Sequence, residues 1–263
     1  MKHIMTGISC SVVLFVIVFP TALGNELTAR GIMEKMDRQL QSQDETVEVN
    51  FTLVNKRGKT TRREFEMFSK QISPTEERRF LRFTAPGDIK GTILLTYDHR
   101  DKADNIWLFL PALGRPRRIP SGNKKDSFVG SDLTFEDLEN VDLENTGFEL
   151  LRNEERAGKL CYVVEGVPTT EDEKKESRYS KRVFWIGEKT FLPVEIHHFD
   201  KKGVLLKVLK SGDAWQIVGT EKIRLFHVEM ENVQKNSKTI LQYNKVELDT
   251  GISASIFSQR MLK

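Results

Sequence analysis

Alternation of apolar and polar residues, renewed strand after strand from Thr46 to Leu248, limits this chain more than any other feature. Val47, Val49, Phe51 and Leu53 alternate with Thr46, Glu48, Asn50 and Thr52, the pattern of a strand with one buried and one wet face. Lys56-Arg57-Gly58-Lys59 turns it into a second strand over 60–69. Similar strands are predicted over 78–83, 92–97, 105–110, 148–153 and 159–167. The second half adds 178–186, 191–199, 204–209, 222–230 and 238–248. Tight turns such as Gly187-Glu188-Lys189-Thr190 and Asp200-Lys201-Lys202-Gly203 join several of them, giving a meander of about ten or eleven antiparallel strands. Only two segments carry helical spacing. One is 27–41, with Ala29, Ile32, Met33, Met36 and Leu40; the other is a short stretch over 253–262, with Ile256, Phe257 and Met261 inward.

A sheet with one wet face must bury the other. Two short helices and a loop cannot cover one this large. Either the sheet closes into a barrel with a filled interior, or it stays open around a cavity that suits an apolar ligand.

The N-terminus speaks to compartment. Lys2 precedes an apolar run over 8–19, Pro20 breaks it, and Ala22-Leu23-Gly24 supplies small residues where a signal peptidase reads. A cleaved signal peptide over 1–24 is predicted, with residues 25–263 as one exported domain; the alternative is a retained anchor, since 4–23 could just span a bilayer. Cys10 lacks the context of a lipidation site. Of the two cysteines, Cys161 alone would then remain, so no internal disulfide can form and a buried structural thiol is expected. Loss of Lys2 takes the formal charge from +3 to +2, too balanced for a nucleic-acid binder.

Two stretches carry a resemblance. They are RRFLRFTAPGDIKGTILLTYDH at 78–99 and IWLFLPALGRPRRIPSGNKKDSFVGSDLTFEDL at 106–138. Within them, the run Asp88 to Thr92, the turn Leu110 to Leu113 and the stretch Ser127 to Asp132 are the specific parts. Together they resemble the exported family of outer-membrane lipoprotein-sorting proteins, and the likeness runs on to SIFSQRML at 255–262. The resemblance implies a mainly β, LolA/LolB-like fold: an unclosed antiparallel half-barrel with helices over its concave face. It implies a non-enzymatic periplasmic carrier of lipid or lipoprotein acyl chains, without cofactor. An inner-membrane RND-type exporter and an outer-membrane acceptor would be its partners. No functional position of the lipoprotein carrier itself is matched, so none is carried over.

The chemistry suits such a role. A bare chain of about sixteen carbons costs roughly 12 kcal/mol to expose to water, and an apolar cavity removes most of that with no covalent step. Trp107 and Phe109 share one strand face and are expected to point into the cavity. Phe128, Leu133 and Phe135 are expected to close over it as a lid, with Gly114, Gly122 and Gly130 as hinges. Arg115, Arg117, Arg118, Lys124 and Lys125, without an acid among them, would meet anionic headgroups or an acidic partner at the mouth. A lipid-sensing adaptor that regulates an exporter is the rival reading. An esterase is the third, but no nucleophile and base set is found: Gly130-Ser131 lacks the second glycine of a nucleophile elbow. Asp98-His99-Arg100-Asp101 with Asp104 fits a turn better than a metal site. His197 and His198 point to opposite faces, and 169–178 reads as a solvated charged loop.

Overall fold

The structure, a computed structural model, describes residues 27–100, 102–120 and 123–263. The expected signal peptide lies outside them, as do Asp101 and Gly122.

Thr28 opens α1 (Ala29–Leu40) by accepting the Gly31 amide on its hydroxyl at 3.1 Å, satisfying one free N–H of the first turn. Next come β1 (Asp44–Val54), β2 (Thr60–Ser73), β3 (Glu76–Ala85), β4 (Ile93–His99), β5 (Asn105–Leu110) and β6 (Arg115–Ile119). A long connection leads to β7 (Thr146–Arg156), β8 (Lys159–Pro168), the short helix α2 (Glu171–Glu176), β9 (Lys181–Gly187), β10 (Pro193–Phe199) and β11 (Leu205–Ser211). A small hairpin, β12 (Ala214–Gln216) and β13 (Ile223–Leu225), precedes β14 (His227–Asn232) and β15 (Ser237–Leu248).

Thirteen of these strands form one antiparallel sheet in the order β6-β5-β4-β3-β2-β1-β15-β14-β11-β10-β9-β8-β7. Among the described residues β6 and β7 stay unpaired on their outer sides, so the sheet is an unclosed half-barrel. The strand count exceeds the expectation for three reasons, one of them the short β12, in a stretch where no strand is predicted. Residues 115–119, read as a loop for their arginines and Pro116, pair with β5, at an edge where proline is tolerated. The expected strand over 222–230 is broken at Phe226 into β13 and β14. The C-terminal helix is two 3₁₀ turns, Ala254–Phe257 and Gln259–Met261.

Each face of the sheet has its own cover. On the concave face, Val47, Val49 and Phe51 of β1, Phe65 of β2, Leu81 and Phe83 of β3 and Leu94 of β4 form the main core. Beside it α1 lays Ile32, Met33 and Met36 on Val164, Phe184 and Ile186. The connection from β6 to β7 crosses this concave face from one sheet edge to the other. Phe128 packs on Phe51 and Phe83, Arg79 binds the carbonyl of Leu138, and Glu136 pairs with Arg182 of β9. On the convex face, residues 252–262 lie over Phe80, Ile93, Leu95 and Phe109, with Phe257 fully buried. Asp44 ties that strap down: its carboxylate accepts the backbone N–H groups of Thr250, Gly251 and Ile252 at 2.8, 3.0 and 3.1 Å.

Two site expectations are corrected here. Trp107 and Phe109 do share a face, but it is the convex one: they pair across the ladder with Leu95 and Ile93 and sit under the C-terminal strap. Alternation fixes which residues share a face, not which face is inside; the inward residues of β5 are Ile106 and Leu108. Lys124 is not a free cation at a mouth. It sits between Asp104 and Glu139, at 3.2 and 2.9 Å.

Candidate functional site

A cavity of about 320 Å³ opens in the concave face. Its floor comes from alternate positions of adjacent strands: Val47, Phe65, Met67, Leu81, Leu94, Val228, Leu241 and Tyr243. Ser69 and Thr96, small and polar where larger apolar residues would fill the space, also line it, as do the charged Glu45 of β1 and Glu77 and Arg79 of β3. The roof is the end of α1 (Asp37, Leu40, Gln41), Arg224 and Leu225 of β13, and Asp137, Leu138 and Asn140 of the crossing segment. A second cavity of about 190 Å³ lies under α1, between Met36, Phe184, Ile196, Leu209 and Met230. Asp37, Leu40, Asp137 and Asn140 line both and so divide one from the other.

The roof is held by charge. Arg79 donates to Glu77 at 3.1 Å, to Asp98 and to the Leu138 carbonyl. Burial would lower its pKa, but the flanking carboxylates outweigh this and hold it charged. Lys207 Nζ reaches Asp137 Oδ2 at 2.7 Å, and each of these side chains is only 2% exposed. Asp137 also accepts the Tyr179 hydroxyl at 2.6 Å and the Thr134 amide at 2.7 Å. Burial works against its charge, yet Lys207 and these donors hold the carboxyl well below the usual range. His198, beside it, is pulled down to about 3 by burial and is neutral at physiological pH. At the α1 end, Arg224 donates to the Gln39 and Leu40 carbonyls at 2.9 and 3.0 Å and to Glu45 at 3.2 Å. Buried Glu45 is pushed up despite that partner, and burial takes Tyr243, on the cavity floor, up to about 12.

The remaining site residues divide clearly. Phe128, Leu133 and Phe135 come together on the concave face, as buried core beside the cavity rather than as a cover over its mouth. Phe128 is 1% exposed and meets Phe135 edge-on at 5.7 Å. The turn that follows is strained: Val129, a β-branched residue, holds φ +43 before Gly130 at φ +75. Such a conformation costs about 1–3 kcal/mol, and Arg63 helps to fix it by donating to the Val129 carbonyl. Gly114 and Gly130 both have positive φ, so they shape turns. Arg115, Arg117 and Arg118 lie exposed along the β6 edge, with Arg118 bonded to Asn105; Lys125 is exposed as well. Asp98 and Asp104 are taken by Arg79 and by the His99 amide and Lys124. Cys161 is buried. The floor residues were not singled out in the sequence, although alternation places them on one face; the small Ser69 and Thr96 among large apolar neighbours were the available signal.

A family model described as "Uncharacterized protein" matches residues 75–263. Among known structures, one described as an outer-membrane lipoprotein-sorting protein domain, from Vibrio parahaemolyticus, is 28% identical and superposes with a TM-score of 0.82 over 89% of this chain and 97% of its own. A DUF1329 family protein from Desulfovibrio piger is also 28% identical, with a TM-score of 0.84 over 89% and 98%. A LolA superfamily protein from Nitrosomonas europaea, 21% identical with a TM-score of 0.69 over 89% and 99%, shares the fold. No curated protein matches. The extent of the family match establishes that the chain belongs to the family this model describes, and the superpositions show that it has the unclosed half-barrel fold of the lipoprotein-sorting domain, the DUF1329 protein and the LolA superfamily protein.

Proposed function

We propose that the protein is a non-enzymatic periplasmic carrier that shelters acyl chains of lipids or lipoproteins in its concave cavity. It would receive them from an inner-membrane exporter of the RND type and release them toward the outer membrane. The observation that carries this reading is the cavity itself: a largely apolar floor built by the sheet, under a roof whose rim is tied down by polar contacts. Its 320 Å³ is at the low end of ligand pockets, and corresponds to roughly ten groups of the size of a water molecule. About ten methylenes sheltered there would be worth about 8 kcal/mol. A longer or second chain requires the divide at Leu40 and Asn140 to part, joining the two cavities. Phe128, Leu133 and Phe135 would then act as the wall against which the cargo ends. The exposed Arg115, Arg117, Arg118 and Lys125 would meet anionic headgroups or an acidic partner.

The test is native mass spectrometry of protein purified gently from periplasm, followed by lipid extraction. A stoichiometric acyl ligand is expected, lost in Val228→Trp and Ser69→Phe, which fill the cavity, while the urea midpoint stays near that of the parent. An empty protein that also takes up no lipid from vesicles would overturn the carrier reading.

A further inference from the structure

The hairpin of β12 and β13 stands apart from the main sheet and pairs only with itself. Its tip presents Val218, which is 98% exposed and the most exposed large apolar side chain among the described residues. Trp215, one strand position behind the tip, is 59% exposed and rests one ring face on Phe226 at 4.9 Å. The tip is pre-formed. The Ile217 amide donates to Lys222, the Thr220 amide to Ile217 and the Gln216 side chain to Thr220, at 2.9, 3.1 and 2.8 Å. Gly219 supplies the left-handed residue at φ +80. Ordering Val218 in the open therefore needs no further loss of backbone freedom on contact.

The base of the same hairpin belongs to the cavity roof. Arg224 and Leu225 line the cavity. Arg224 and Lys222 donate to the carbonyls of Arg38, Gln39 and Leu40, at 2.7–3.0 Å, satisfying the free C-terminal end of α1. Trp215 pairs across the hairpin with Arg224, and Leu40, whose carbonyl Arg224 holds, is 40% exposed and lines the cavity.

We propose that this hairpin is a membrane-contacting finger: Val218 and Trp215 enter the headgroup–acyl boundary of a phospholipid bilayer and bring the α1 end of the cavity roof to the membrane surface. The proposal rests on the carrier reading for its purpose, but not for its test. A bilayer fits the finger better than a protein does. Two side chains on a narrow turn fall far short of the roughly 1,000 Å² that a specific protein interface buries, whereas a bilayer demands no complementary shape. Tryptophan, apolar at one end and a hydrogen-bond donor at the other, suits that boundary. The charges agree as well: Lys222 and Arg224 are committed to α1, and Asp213 and Glu221 offset them. Contact through the tip should therefore not depend on anionic lipid. Even a single myristoyl chain binds membranes only at about 10⁴ M⁻¹, so a finger of two side chains makes brief visits, as a shuttle must.

The experiment uses the mature chain with vesicles of phosphatidylcholine whose acyl chains are brominated, reading tryptophan quenching and co-flotation. Trp185 is buried and Trp107 lies half-buried under the C-terminal strap, so quenching reports Trp215. Quenching is expected for the parent, unchanged in high salt. Val218→Asp should weaken partitioning roughly tenfold, while Val204→Asp, at another exposed turn valine, should leave it intact. Association that Val218→Asp does not weaken, or that high salt abolishes, overturns the finger; the second result would point to the β6 arginines instead. Uptake of a soluble fluorescent fatty acid is read in parallel and should be equal in parent and Val218→Asp. A parent that takes up none defeats the carrier reading alone, because the vesicle result still decides the finger.

Discussion

Lys207→Met tests how the crossing segment is fixed to the sheet. Lys207 and Asp137 are both buried, 2.7 Å apart, and the pair joins β11 to the stretch that roofs the cavity. Removing one member of such a pair costs about 3–5 kcal/mol, because the other is left charged in a low-dielectric site. Asp137 would keep Tyr179 and Thr134 as donors, which places the expected loss near the lower figure, about 3 kcal/mol. Lys207→Met combined with Asp137→Asn removes the stranded charge and keeps an acceptor, so most of the loss should return. The pH dependence follows from the direction of the shift. In the parent, the Asp137 carboxyl sits below its unfolded value of 3.8, so its contribution is present above that pH and is lost as pH falls through the folded value. Without Lys207, burial pushes the carboxyl up. Its contribution is then present below the unfolded value and lost as pH rises. The gap between parent and variant is therefore widest at about pH 7 and narrows toward about pH 4. Urea unfolding followed by circular dichroism at both pH values reads this directly. A loss under about 1 kcal/mol at neutral pH, or a gap that does not narrow in acid, would refute the assignment of a buried, charged pair.

Phe128→Ala removes a ring packed among Phe51, Phe83 and Phe135 and should cost about 3–5 kcal/mol in urea unfolding. Glu139, pushed up to about 8 by burial with Lys124 opposing, contributes stability that is present below its unfolded value of 4.5 and lost as pH rises through 8. In urea melts across that window, Glu139→Gln should therefore gain on the parent as pH increases. Asp44→Ala leaves the amides of Thr250, Gly251 and Ile252 without their acceptor; it should cost about 2–3 kcal/mol and loosen the strap over Trp107. Loosening would appear as a red shift of tryptophan fluorescence and faster proteolysis near the C-terminus.

The half-barrel was legible because alternation is a local signal: β1, β2, β8 and β15 each carry it in their own residues. Choosing between a closed and an open sheet needed the resemblance, since edge pairing is decided by residues far apart in the chain. β6 escaped because arginine and proline argue against a strand, although they are what protects an edge strand from further pairing. The direction of Trp107 was hidden for a different reason. Both faces of β5 are apolar, and only the arrival of Phe257 and Leu262 distinguishes outer from inner. Lys124 looked free because its acids are distant in sequence, Asp104 by 20 residues and Glu139 by 15. Lys207 could have been noticed: it shares a strand face with Leu209, at a position where alternation asks for an apolar residue.

The uneven chemistry of the two sides of the cavity bears on how such a site could open. The floor is largely apolar and belongs to a continuous ladder of hydrogen bonds, so distorting it would break pairing across several strands. The roof rests on Arg79, Lys207 and Arg224, each bound to carboxylates or carbonyls. Had those contacts been apolar, lifting the roof would expose two greasy surfaces to water, at about 25 cal/mol for each Å². Ionic contacts behave otherwise: their Coulombic gain is largely offset by desolvation, which is returned when the charges separate into water. A charged roof therefore fixes one closed geometry through directional bonds and still parts from an apolar floor at a smaller cost than its contact distances suggest. The apolar surface then left open is on the floor, where an acyl chain of the proposed cargo would replace the contacts that the roof gave up.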